Sequence, residues 1–226
     1  MKRNQSGFTL IEIAIVLVII GLLLGGVLKG QELINSAKVK NLATDFKNIP
    51  VFIYGYQDKF KALPGDDATI GTANTHLTGA IACTPAANRC AVGNGIIDGN
   101  WNTNAITDES YIFWQQVRLA GLAPGSTDTT TPVGYIPTNA VGGNIGITNS
   151  GNGLPITLPT PLKGSYIVCS DGIAGKFAKQ LDTTLDDGNT ATGSMMVTTA
   201  GTSIGGTAIA TNLIQDDTPY LVCMGF

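Results

Sequence analysis

From Ile13 to Leu28 the chain contains no charged residue, and apolar side chains fill most positions. Counted from Phe8 the run is about 21 residues, which as a helix rising about 1.5 Å per residue measures roughly 31 Å, the thickness of a bilayer's hydrocarbon core. The pattern then changes without a break. Val39, Leu42, Phe46, Ile49, Ile53, Tyr56 and Phe60 recur at spacings of three and four, while Lys38, Lys40, Asp45, Lys47, Asp58 and Lys59 take other faces. This is the periodicity of an amphipathic helix. The two stretches together predict one long helix to about residue 62, where Leu63-Pro64-Gly65 ends it. Pro50 lies inside and removes one backbone hydrogen bond; because the apolar stripe resumes at Ile53, a bend is expected there and not an end.

Beyond Pro64 the chain turns to Gly, Thr, Asn and Ala with short apolar runs, the pattern of strands joined by surface loops. One helix is predicted after Asp108 or Thr107 as N-cap, with Ile112, Phe113, Trp114, Val117 and Ala120 inward and Gly121 at its end. A second runs from about Gly175 to Leu185, closed by the turn Asp186-Asp187-Gly188. Strands are expected at residues 165–170, 194–199 and 220–224. The Gly-, Asn- and Thr-rich stretches 142–153 and 188–206 read as exposed loops.

The apolar run contains one acid, Glu12. A carboxylate inside a spanning segment costs about 2.5 to 3.5 kcal/mol near the helix centre and calls for a partner. The sequence places no Lys, Arg or His between Arg3 and Lys29. Cleavage after Gly7 would create an amine at Phe8, one helical turn from Glu12. Lys2 and Arg3, then Gly7-Phe8-Thr9-Leu10-Ile11-Glu12, then the apolar run, resembles the processing site of type IV pilins and the pseudopilins of type II secretion. A secretory signal peptide fits less well, because its apolar region is shorter and its small-residue cleavage site follows it.

The resemblance implies an α+β, pilin-like fold: a leader at residues 1–7 that is cleaved, a long helix at 8–62 whose segment 8–28 spans the membrane and later lines a filament core, and a head domain at 63–226 with an antiparallel sheet and long loops. It implies that prepilin peptidase cuts between Gly7 and Phe8 and methylates Phe8, and that Phe8 and Glu12 register subunits during assembly. The implied function is a structural subunit of a type IV pilus or pilus-like filament, homopolymeric or mixed. A type II secretion pseudopilin, or a minor or tip pilin acting in adhesion or DNA uptake, is the alternative. The positive-inside rule puts Lys2 and Arg3 in the cytoplasm, giving a single-pass inner-membrane protein of a bacterium with its head in the periplasm before assembly into a periplasmic or extracellular filament. Many pilins have a proline shortly after the apolar run; here Gly25, Gly26 and Gly30, each costing about 1 kcal/mol relative to Ala, are expected to supply the same weakness.

A formal net charge of −3 argues against bulk nucleic-acid binding, which needs clustered Lys and Arg. Four cysteines, Cys83, Cys90, Cys169 and Cys223, read outside the cytoplasm as two disulfides. Of the three pairings, Cys83 with Cys90 and Cys169 with Cys223 is the most economical. Zinc is disfavoured by the lack of a C-x-x-C pair and by a single histidine, His76. No G-x-S-x-G, Walker loop or H-E-x-x-H occurs, so no enzyme and no catalytic residue is expected. The acid pairs Asp66-Asp67, Asp186-Asp187 and Asp216-Asp217 sit in turn contexts. Calcium is held in a head-domain loop by some pseudopilins, which makes Asp186, Asp187 and Asn189, or Asp98 and Asn100, weak candidate ligands; neither stretch has EF-hand spacing.

Overall fold

The computed structural model of the protein describes residues 10–85, 89–151 and 153–226, and the chain divides into two units, Met1–Lys38 and Val39–Phe226. Helix α1 (Leu10–Phe60) contributes to both. It does not end at Pro50, which is buried, and it runs through Gly25, Gly26 and Gly30. None of its residues before Val39 is buried, whereas Val39, Leu42, Ala43, Phe46, Ile49, Ile53 and Tyr56 are. The stripe anticipated from spacing is thus the face that the second unit covers.

In the second unit the elements follow as α2 (Glu109–Leu119), β1 (Ile145–Asn149), β2 (Ile156–Leu158), β3 (Tyr166–Ala174), α3 (Gly175–Leu185), β4 (Met195–Thr199), β5 (Gly206–Thr207) and β6 (Pro219–Gly225). The main sheet is antiparallel with order β1-β3-β6-β4, and β2 and β5 form a separate parallel pair. Side chains alternate faces along a strand. Ile147, Val168, Val197 and Val222 therefore share one core with the α1 stripe, Phe113 and Phe177, while Ile167, Cys169, Met196, Leu221 and Cys223 share another with Trp101 and Ile156. The sheet is buried on both sides.

Two glycines fix this geometry. Between Ser170 and Ile173 the β3 to β6 register gains one extra residue on β3, and Gly172 takes φ +71° at that bulge, a conformation most side chains avoid. On β1, the backbone of Gly146 lies against the Trp101 carbonyl, where no Cβ fits. Cys169 and Cys223 stand opposite each other on β3 and β6 and are disulfide-bonded, on the face turned away from α1; Cys83 is bonded to Cys90. Helix α2 ends as a Schellman motif: Leu122 N–H donates to Val117 O and Gly121 N–H to Arg118 O, each at 2.9 Å, with Gly121 at φ +77°.

The expected strands are present, but the stretch 142–153 departs from its reading as an exposed loop. It contains β1, buried at every position, because Ile145 and Ile147 pack inward while Thr148 and Asn149 bond the carbonyls of Gly99 and Ile97. The small polar residues there fill close contacts between backbones.

Phe46 is 1% exposed and Val51, one and a half turns on, is 64% exposed. Phe46→Ala should cost about 3 to 5 kcal/mol in urea unfolding of the detergent-solubilised chain followed by tryptophan fluorescence. Val51→Ala should change stability by about 0.5 kcal/mol or less. Equal losses would contradict the packing described.

Candidate functional site

The first unit offers one surface. Fourteen large apolar side chains between Leu10 and Leu28 are from 45% to 88% exposed. One window of 18 residues in α1 has a mean hydropathy of 2.8 with none of it buried. Fully burying one such side chain is worth roughly 1.5 to 3 kcal/mol, so leaving all of them in water costs on the order of tens of kcal/mol. Glu12 sits in the first turn of α1, where the helix dipole favours a negative charge. Past the apolar run, Lys29 and Glu32 pair at 2.7 Å in the open. Gly7 and Phe8 lie outside the described residues.

The second unit buries several carboxylates, among them the Asp66-Asp67 pair that the sequence placed in a turn context. Asp66 and Asp67 are 4% and 0% exposed. The Asp66 carboxylate accepts the backbone N–H groups of Gly93, Asn94 and Gly95, which oppose the upward push of burial on its pKa. Asp67 is a hub: Tyr56 of α1 donates its hydroxyl to Oδ2 at 2.7 Å, Thr69 donates both N–H and hydroxyl to Oδ1, and His76 Nε2 lies 2.7 Å from Oδ2. Burial alone would raise the Asp67 pKa, but these donors outweigh it and the net shift is downward. His76 also stacks on Phe60, ring centroids 4.5 Å apart, and so joins the loop after α1 to the end of that helix. Glu109, fully buried, accepts the N–H of Ala91 and of Asp98 at 2.8 Å each. Burial lifts its pKa to about 7, with those two amides opposing and the charges of Asp66 and Asp98 adding to the rise.

The remaining acid pairs differ from one another. Asp216 and Asp217 are mostly exposed and pair with Lys179 at 2.6 Å and Lys176 at 2.8 Å. Asp186 accepts the N–H of Met195 and the hydroxyl of Ser194, and Asp187 the N–H of Asn189 and the hydroxyl of Thr192. Asn189 itself accepts Ala191 N–H. The structure brings Asp186 and Asp187 together with Asp182, all three having a carboxylate oxygen within 4.8 Å of the others. Asp98 is bonded to the side-chain amides of Asn94 and Asn149.

Residues 2–28 match the family model described as the prokaryotic N-terminal methylation motif. The chain carries the signal motif of type IV pilins and pseudopilins. No curated protein and no solved structure matches the chain. The motif ends where the uncovered apolar run of α1 ends, so the pilin-type signal and the exposed segment are one stretch.

Sequence reasoning missed Asp182, Glu109 and the hub role of Asp67. Asp66 and Glu109 each accept amides from the Gly-rich stretch 91–99, so the local hint was a run of glycines close to acids; burial was not visible in it. A group whose pKa is raised on folding from its ordinary 4.5 to about 7 holds its proton more tightly in the folded chain. Stability should therefore fall as pH rises from about 4.5 through 7. Denaturant melts at about pH 5 and pH 8 should show that fall, and Glu109→Gln should flatten it. A profile that rises across this window would contradict the burial that raises the Glu109 pKa.

Proposed function

We propose that this chain is a structural subunit of a type IV pilus or pilus-like filament, cut after Gly7 by prepilin peptidase, methylated at Phe8 and assembled through residues 8 to about 28. The observation that carries the reading is the coincidence of the methylation motif with a helical segment whose apolar side chains are uncovered. Before assembly a bilayer covers that surface, with the head in the periplasm; afterwards the same segment of neighbouring copies covers it. Close packing of side chains favours the association but is indifferent to axial position. The new Phe8 amine and the Glu12 carboxylate supply what packing lacks, because a charged pair in an apolar environment is strong only at one register.

The head supports a structural role over capture of nucleic acid. Of its five basic side chains from residue 63 onward, Arg89, Lys176 and Lys179 face acids and Arg118 is buried against the carbonyls of Pro124 and Ser126. That leaves little cationic surface to displace counterions. The reading assigns no catalytic residues and no bound cofactor to assembly. The number of copies per purified filament separates a main subunit from a pseudopilin or a tip subunit.

Mass spectrometry of the mature protein should find N-methyl-Phe8 at the terminus; an intact Met1 terminus in filaments would overturn the reading. Glu12→Leu should leave membrane insertion unchanged and lower incorporation into filaments about tenfold or more, since charge-assisted hydrogen bonds are worth about 1.5 to 3 kcal/mol. Unchanged incorporation would remove the pairing.

A further inference from the structure

Arg118 of α2 is 8% exposed, and among the described residues it forms no ion pair. Its Nε and Nη1 donate to the carbonyls of Pro124 at 3.1 Å and Ser126 at 2.8 Å, and its guanidinium carbon stands 5.1 Å from the Tyr135 ring centroid and 5.7 Å from that of Trp114. Those contacts hold the group in place but leave its charge without a counter-ion. Nη2 donates to no described residue and is not sealed from solvent, so both of its N–H groups are open to a further acceptor. Asp45 of α1 is the opposite case. It is half-buried, and among the described residues its carboxylate makes no hydrogen bond and no ion pair. Burial raises the pKa of Asp45 and lowers that of Arg118, since the protein does not return to either charge all the solvation it has lost. The two line one cavity of about 210 Å³ between α1, α2 and the start of β1, with Ile49, Phe52, Trp114 and Ile145 among its walls.

We infer that this cavity binds a free zwitterionic α-amino acid with an apolar or aromatic side chain. The ligand's carboxylate accepts from Arg118, its ammonium group donates to Asp45, and its side chain lies among the apolar walls. Charge decides the class. A simple anion or a simple cation would satisfy one of the two charges and leave the other, and an uncharged apolar molecule would leave both. The terminus of a peptide carries only one of them, so a partner protein fits less well than the free molecule. Size points the same way, because drug-sized ligands occupy about 300 to 1,000 Å³ and this cavity is smaller. The carbonyls and rings around Arg118 fix its guanidinium before any ligand arrives, which lowers the cost of ordering the site. The inference is independent of how the N-terminal segment assembles.

The test is calorimetric titration of the full-length chain in detergent with L-phenylalanine and with L-leucine. At least one should bind with a dissociation constant of about 1 mM or below. N-acetyl-L-phenylalanine, which lacks the ammonium group, and L-phenylalaninamide, which lacks the carboxylate, should each bind about tenfold or more weakly than phenylalanine, the loss expected for one charge-assisted hydrogen bond. Asp45→Asn removes an unpaired charge and keeps the side chain's shape, so it should fold and weaken binding of the amino acid by a similar factor. Should it not fold, Thr138→Trp, at an exposed position on the rim, should fill the cavity and abolish binding. Three results would overturn the proposal: no heat of binding from either amino acid up to about 10 mM, affinity for both blocked derivatives equal to that for phenylalanine, or full affinity in either variant.

Discussion

The constraint on which the rest depends is that the apolar side chains between Leu10 and Leu28 have no cover among the described residues. No arrangement of the described residues removes that surface from water, and its exposure would cost more than a domain's whole net stability of about 5 to 15 kcal/mol. The segment needs a second environment. A bilayer is one, matched in length, and like segments of other copies are another. Both are equally apolar, so moving between them would cost little in transfer free energy, which leaves specific packing to favour one over the other. The methylation motif sits on this segment, and Phe8 lies four residues before its one acid in sequence.

From Val39 onward the same helix serves a different purpose. Its stripe of Leu42, Phe46, Ile49, Ile53 and Tyr56 covers one face of the sheet, and the second apolar cluster around Trp101 covers the other. Long loops poor in apolar residues cannot be held this way. They are held by buried acids that accept backbone N–H groups: Asp66 gathers the turn at 93–95, Glu109 gathers Ala91 and Asp98, and Asp67 ties the segment after α1 to Tyr56 and His76. Each such carboxylate replaces water for amides that burial would otherwise leave unpaired. The consequence is a head whose stability responds to pH.

The helices were legible because their signals are local. The 3.6-residue stripe of α1, the glycine at the end of α2 and the Asp-Asp-Gly turn after α3 each fall within a few residues of what they determine. The strands at Tyr166 and Tyr220 announced themselves as β-branched runs, and the cysteines marked their pairing. Strand β1 did not, since Gly146, Thr148 and Asn149 suit a loop until Trp101, Gly99 and Ile97 are known to lie against them. Sequence separations of about fifty residues carry no local trace. The assembly segment was readable from Gly7 to Glu12, whereas the burial of Asp66, Asp67 and Glu109 and the convergence on Asp182 are tertiary facts that adjacency to glycine and threonine conceals.

The central claim, that one helical surface is covered first by lipid and then by other copies, is tested most directly by a photo-crosslinking residue placed at Leu17, which is 63% exposed. In cells lacking the processing peptidase the account predicts adducts to lipid, and in purified filaments adducts to a second copy of the chain. Lipid adducts alone in both samples, or reaction with water in both, would contradict it.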